Sequence, residues 1–263
     1  MRLRPVFMFA AALGPVHSLA AQSLWLGPDR RVILLEVFHP TFTGSALEFP
    51  SFAAYLTGRL AVSEDLALQV ELPVAHAKLT AILADLSETG IGSPYVGLVL
   101  RRPGSRAWGE VGARIPISTD NASVIVGAFA DLDRLPAWSS DVLPVTALAG
   151  YRWSSTWGGF VAVRGGPGIW IDVGDAETEA VLHASVQAGV ESARFAIAGA
   201  VTSMTVITTD GGLGDRSLFQ GGIVAEARFG TVRPGVTVFV PLDDDLGNVI
   251  DLVYGLRLAV ILP

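Results

Sequence analysis

The feature that most limits what this chain can fold into is a period of two that runs from Arg31 almost to the last residue. In the final segment Ile250, Leu252, Tyr254, Leu256, Leu258 and Val260 fall on one face, and Asp251, Gly255, Arg257 and Ala259 on the other. A strand turns successive side chains to opposite faces, so such alternation marks a strand whose two faces meet unlike surroundings. Leu66, Leu68, Leu72 and Val74 oppose Gln69 and Glu71 in the same way. So do Leu182, Ala184, Val186 and Val190 against His183, Ser185, Gln187 and Gly189.

The pattern divides the chain into about twelve strands, with edges uncertain by a few residues. They run near 31–40, 50–63, 66–77, 93–103, 106–118, 141–154, 157–171, 178–191, 194–208, 216–229, 232–242 and 249–262. Tight turns at 63–65, 102–105, 154–156, 191–193 and 230–231 alternate with mostly longer connections at 41–49, 78–92, 119–140, 172–177, 209–215 and 243–248. Short turns on one rim and long loops on the other are the plan of an up-and-down membrane barrel. An even strand count puts both termini on the short-turn side.

Composition decides between this and a water-soluble barrel. Hydrophobic residues make up 51% of the chain and charged residues only 16%, against about 25% charged in an average globular domain. Lys78 is the only lysine. Yet after residue 21 no run of eighteen apolar residues occurs, as a membrane helix requires. A closed barrel is the other structure that satisfies its backbone in lipid. The N-terminus has its own reading. Arg2 and Arg4 precede an apolar run over Val6–Val16, and Ser18-Leu19-Ala20-Ala21 supplies small residues for cleavage after Ala20 or Ala21. Residues 1–21 are therefore expected to be a signal peptide, and 22–263 an all-β, transmembrane antiparallel barrel in the cell outer membrane. With no cysteine there is neither a disulfide nor a thiolate chemistry, and a net charge of −7 speaks against nucleic acid as a partner.

The polar faces collect Arg59, Arg101, Arg114, Arg152, Arg164, Arg228 and Arg257 with Glu36, Glu71, Glu110, Glu226 and Asp251, interspersed with small residues such as Thr57, Gly112 and Gly255. That is too little charge for a whole water-facing surface, and it suits a lumen in which arginines and carboxylates pair. The expected lumen-lining residues are Arg59, Glu71, Glu110, Arg114, Arg164, Glu226 and Arg257. Trp153, Trp157, Phe195 and Phe229 near the tight turns, and Phe42, Phe49, Phe52 and Trp138 near the long loops, are placed for two interfacial girdles. Within 119–140, Asn121-Ala122-Ser123 is expected to start a short helix that reaches Phe129 and Leu132 and stops before Pro136. Such a helix either narrows the barrel mouth or packs on its rim.

Other chemistry is thin. His39, His76 and His183 have neither a second histidine nor a carboxylate at ligand spacing, so no metal is expected. His183-Ala184-Ser185 puts a base and a hydroxyl on one strand face, and resembles the pair in outer-membrane phospholipase and lipid A deacylase barrels. Its register turns both residues to the lumen, and no orienting Asn or acid stands nearby. Gly211-Gly212-Leu213-Gly214 lacks the Lys and helix of a phosphate cradle, and the acidic stretches 210–215 and 243–245 lack calcium-loop spacing, so no cofactor is called for.

Gly90-Ile91-Gly92-Ser93-Pro94-Tyr95-Val96-Gly97-Leu98-Val99-Leu100-Arg101 resembles the start of a strand in outer-membrane transporter barrels, including those associated with phenol meta-pathway degradation. Gly255-Leu256-Arg257-Leu258 is of the same style. The resemblance implies an outer-membrane β-barrel. Many such barrels end in an aromatic residue that the assembly machinery reads, whereas this chain ends Val260-Ile261-Leu262-Pro263. The expected function is a channel or facilitator for small solutes rather than an enzyme. Its expected partners are outer-membrane lipid, lipopolysaccharide and the assembly machinery. The alternatives are a structural or surface-exposed barrel with a closed lumen, and a lipid-modifying hydrolase that uses His183 and Ser185.

Overall fold

The computed structural model describes residues 31–43, 51–80, 85–174, 177–210, 212 and 214–263; the expected signal segment and Phe49 lie outside the described residues. The strands are β1 (Val32–Phe42), β2 (Phe52–Ala61), β3 (Leu66–Thr80), β4 (Asp85–Ile91), β5 (Tyr95–Leu100), β6 (Ala107–Arg114), β7 (Val142–Ser154), β8 (Gly159–Asp172), β9 (Glu179–Glu191), β10 (Phe195–Val206), β11 (Ser217–Ala227), β12 (Val232–Pro241) and β13 (Ile250–Ile261). Helix α1 (Ser123–Ala128) and a 3₁₀ turn (Leu132–Trp138) lie between β6 and β7, and a one-turn helix α2 (Asp244–Gly247) precedes β13.

Each strand pairs antiparallel with its neighbours, and β1 closes the ring on β13, from Val32 opposite Ile261 to Thr41 opposite Leu252. Both β4 and β5 pair with β3, one with its upper half and one with its lower half. They are two parts of one wall position, interrupted at Gly92-Ser93-Pro94, so the thirteen segments form a closed barrel of twelve strands. Closure removes the unpaired sheet edges, whose N–H and C=O groups lipid cannot satisfy. The connections at 62–65, 101–106, 155–158, 192–194 and 228–231 are short and share one rim with the start of β1 and the end of β13.

Burial settles which face is outside. Leu256 and Ile223 are 67% and 60% exposed, and Leu56, Leu72, Val96, Leu98, Val111, Leu182, Val186, Ile197, Val236 and Leu258 also face outward. Glu36 and Arg59, on the other face, are each 1% exposed, and Glu71, Gln187, Glu226, Arg233 and Arg257 are likewise buried. A soluble barrel would have the reverse arrangement. An apolar exterior around a polar interior is the membrane-spanning one. Trp153, Trp157, Phe195 and Phe229 stand exposed at the short-turn rim, in the position of an interfacial girdle.

Several expectations are corrected. The 78–92 connection is mostly strand, because β3 continues to Thr80 and pairs with β4. Its polar residues show no apolar alternation, but the hairpin ladder satisfies the backbone regardless. The strand expected over 106–118 ends at Arg114, after which Pro116 has no N–H to offer. Asp251 faces outward rather than into the lumen. A bulge opposite Thr41 and Phe42 makes it the extra residue, so Ile250 turns inward and Asp251 accepts a hydrogen bond from Thr43 at 2.9 Å. Trp138 belongs to no girdle; it is buried inside the barrel. Pro136 sits within the 3₁₀ turn instead of beyond a helix.

Candidate functional site

The 115–141 connection folds into the barrel, and the wall is shaped to receive it. Gly90 and Gly92 point inward on either side of Ile91. A Cβ on Gly92 would stand 2.8 Å from the Ala137 carbonyl oxygen and 2.9 Å from the Pro73 ring; one on Gly90 would meet Ser123 Oγ at 2.1 Å. Only glycine allows so close an approach. The break after Gly92 frees the Ser93 N–H from the ladder, and it donates to the Ala137 carbonyl at 2.6 Å. Two strands away on the same part of the wall, Tyr55 Oη donates to the Gly127 carbonyl at 3.0 Å and accepts from Trp138 Nε1 at 3.1 Å. Gln220 Oε1 accepts from the Leu132 N–H at 3.2 Å. Val124, Ala128 and Phe129 pack on an apolar seat of inward side chains that includes Phe38, Ala53, Phe239 and Ile250.

Below this seat the interior is ionic. Arg134, carried in by the 3₁₀ turn, donates through Nη2 to Glu36 Oε2 at 2.6 Å, through Nε to Glu71 Oε2 at 2.8 Å and through Nη1 to Asp131 Oδ2 at 2.8 Å. Its guanidinium also lies over the Tyr55 ring, 4.4 Å from the centroid. Glu71 Oε1 accepts from Arg114 Nη2 at 2.8 Å, and Asp133 Oδ2 accepts from Arg164 Nη2 at 2.8 Å. Burial opposes the Arg134 charge, but Glu71, Glu36 and Asp131 together hold it well above its ordinary range. Burial pushes the Asp131 carboxyl up to about 7; Arg134 pulls it down, and Asp133 and Glu36 push it further up.

A cavity of about 70 Å³ remains in this zone, lined among others by Glu71, Glu110, Arg114, Arg164, Pro144 and His183. Four of the seven residues singled out from the sequence, Glu71, Glu110, Arg114 and Arg164, therefore meet around one space. Glu110 Oε1 accepts from Tyr95 Oη at 2.6 Å. Arg59 is buried beside it and donates to Gln69. Glu226 and Arg257 lie elsewhere, toward the short-turn rim, with 3.8 Å between their charged atoms. There Glu191 accepts from Arg152 at 2.7 Å and from Arg228 at 3.1 Å, and Arg228 Nε reaches Glu226 at 3.3 Å. Sequence periodicity missed Asp131, Asp133 and Arg134, because loop residues have no alternation to read. The available signal was Asp131-Leu132-Asp133-Arg134 itself, a charged run inside the otherwise apolar stretch 124–138.

His183 and Ser185 are buried on the inner face, while Leu182 and Val186 face outward. His39 Nδ1 approaches the Ser51 carbonyl oxygen at 2.5 Å and His76 Nδ1 the Thr89 hydroxyl at 2.9 Å, so the three histidines serve separate places. Among the described residues no group of three His, Asp or Glu side chains is arranged to hold a metal ion.

No protein-family model and no curated protein matches the sequence. The fold is similar to that of an outer membrane channel from Pseudomonas putida F1, with a TM-score of 0.63 and 14% identity over 95% of this chain and 100% of that one. It is also similar to the NanC porin, with a TM-score of 0.56 and 9% identity over 88% of this chain and 100% of that one. LpxR from Salmonella typhimurium gives a TM-score of 0.51 and 9% identity over the same shares. These likenesses are of fold, that of a closed antiparallel β-barrel.

Proposed function

We propose that residues 22–263, after loss of the 1–21 signal, form an outer-membrane channel or facilitator for small solutes, with the 115–141 loop as its constriction. One observation carries the reading. The loop enters the lumen through its own seat and leaves a polar, charge-lined space below it, as a selective constriction requires. Similarity of fold to an outer membrane channel and to a porin supports it. The apolar exterior with its aromatic rim suits outer-membrane lipid and lipopolysaccharide. Insertion by the assembly machinery would read the alternating apolar positions Tyr254, Leu256 and Leu258 of β13. The seven lumen residues would act by ring charge rather than by bond chemistry. Purified protein in planar bilayers should give discrete conductance steps, and deletion of 119–138 should enlarge them. Silence from both proteins would end the channel reading.

A second reading has its own observation. The short Arg–carboxylate contacts across the interior would suit a structural barrel whose lumen is closed. It predicts no conductance in the intact protein and loss of stability when the pairs are cut. A hydrolase is the least supported reading. His183 and Ser185 point away from the lipid-facing surface, and no enzymatic role is assigned to either. Lipid profiles unchanged by Ser185→Ala agree with this; release of fatty acid by the purified barrel would reverse it.

A further inference from the structure

The cavity beneath the loop is balanced in charge yet unbalanced in hydrogen bonding. Glu71 is engaged on both oxygens, by Arg114 on one and by Arg134 and Thr57 on the other. Asp133 Oδ2 accepts from both Arg164 and Thr202. Among the described side chains that line it, two buried nitrogens have no partner: Nη1 of Arg164 and Nε2 of His183. Their residues are 8% and 4% exposed, and both line the cavity. They come from adjacent strands, Arg164 standing opposite Ser185 and His183 opposite Gly166, so both project inward within one step of the ladder. A buried nitrogen without a hydrogen-bond partner is costly, more so when charged, so two in one cavity mark a place suited to a bound polar group.

The neighbouring wall says what kind of group. Pro136, Pro144 and Leu148 give the cavity an apolar side. The β7–β8 ladder is interrupted between Thr146–Gly168 and Ala149–Gly165, beside this patch, where Pro167 has no N–H. At about 70 Å³ the space exceeds the roughly 10–15 Å³ that one water needs. The geometry points to a subsite for a small carboxylate. Its two oxygens would take Arg164 Nη1 and His183 Nε2, with the imidazole in the tautomer protonated there, and its carbon end would meet Pro144 and Leu148. The two oxygens of a carboxylate can accept from two separate nitrogens at once, whereas a spherical halide has no second atom to offer. Asp133 opposes the anion through its own charge and at the same time holds Arg164 in place.

The inference rests on the channel reading for its biological meaning, since it names the solute class that would pass or pause at the constriction. Its test is independent of conductance. Folded, ¹⁵N-histidine-labelled barrel in detergent is titrated with sodium acetate at constant ionic strength, and the His183 resonance is identified by its absence in His183→Phe. Acetate should shift the His183 Nε2 signal saturably, and chloride should do so more weakly. Arg164→Gln should weaken acetate by about tenfold or more, the loss expected for a charged hydrogen bond. Asp133→Asn, which removes the opposing charge, should tighten it. Heat-modifiable electrophoretic mobility shows that each variant is folded, and ¹³C-acetate line broadening on His183→Phe gives a second measure if Arg164→Gln does not fold. An absent shift in the wild type, equal affinity in Arg164→Gln, or chloride matching acetate overturns the assignment. Acetate binding without conductance leaves the subsite standing and removes the channel; conductance without acetate binding does the opposite.

Discussion

Among the described residues the interior holds two ionic groups, and they are built differently. Near the short-turn rim, Glu191, Arg152, Arg228, Glu226 and Arg257 come from the wall and its turns, and none of them belongs to a long loop. Beneath the loop, Glu36 and Glu71 belong to the wall, but the cation they share is Arg134, which arrives from the 115–141 segment with Asp131 and Asp133. The first group braces a cylinder. The second fastens a separate piece of chain into it, so its strength measures how firmly the loop is held rather than how stable the barrel is. Buried ion pairs often break even against apolar packing, whereas removing one partner from a buried pair is costly.

That difference can be broken most severely at Arg134. Arg134→Met leaves Glu36, Glu71 and Asp131 buried without their shared cation and should weaken loop docking by about 3–5 kcal/mol. Limited proteolysis within 119–138 should become fast while the barrel keeps its heat-modifiable mobility. If the loop stays protected, the apolar seat alone holds it. Gly92→Val attacks the same docking without touching charge. Its side chain meets the Ala137 carbonyl and Pro73, and an overpacking cost of about 2–3 kcal/mol should raise the same cleavage rate.

Glu191→Gln tests the other group. Two arginines share this carboxylate, so urea unfolding should show a loss of about 1–2 kcal/mol, with cleavage of the loop unchanged. Accelerated cleavage would mean that the two groups are coupled through the wall. The smallest effect expected is on pH. The docked loop raises the Asp131 carboxyl from 3.8 to about 7, so docking binds a proton. Its contribution is complete below the undocked value and is lost as pH rises through 7, weakening docking by at most about tenfold between pH 6 and 8. Loop cleavage should therefore speed up over that interval, and Asp131→Asn should flatten the profile.

The barrel itself was legible because each wall strand carries its environment in its own residues. Leu182, Val186 and Val190 against His183 and Gln187 is a pattern that lipid on one side and a polar interior on the other impose locally. Where the local pattern stops, a residue no longer reports the face it occupies. Asp251 broke phase because a bulge on the pairing with β1 adds one residue, and a one-residue slip reverses a side chain's face. The stretch 85–91 has polar residues on a paired strand, so its side chains resemble a loop although its backbone does not. The Gly90–Pro94 motif was conspicuous in the sequence, but its use as a socket for Ala137 and Ser123 depends on a segment more than twenty-five residues away.

By itself, then, the sequence determined the strand period, the alternation of tight and long connections, the apolar outer face and the arginines and carboxylates turned inward. These follow from short-range periodicity and composition, which any membrane barrel must satisfy strand by strand. Tertiary structure decided the rest: which long connection enters the lumen, that Arg134 becomes the shared partner of Glu36, Glu71 and Asp131, and that Arg164 and His183 are left with nitrogens facing a common cavity. Those outcomes depend on groups far apart in the chain meeting in one low-dielectric space, where the energy of a charge is set by its partners rather than by its neighbours in sequence.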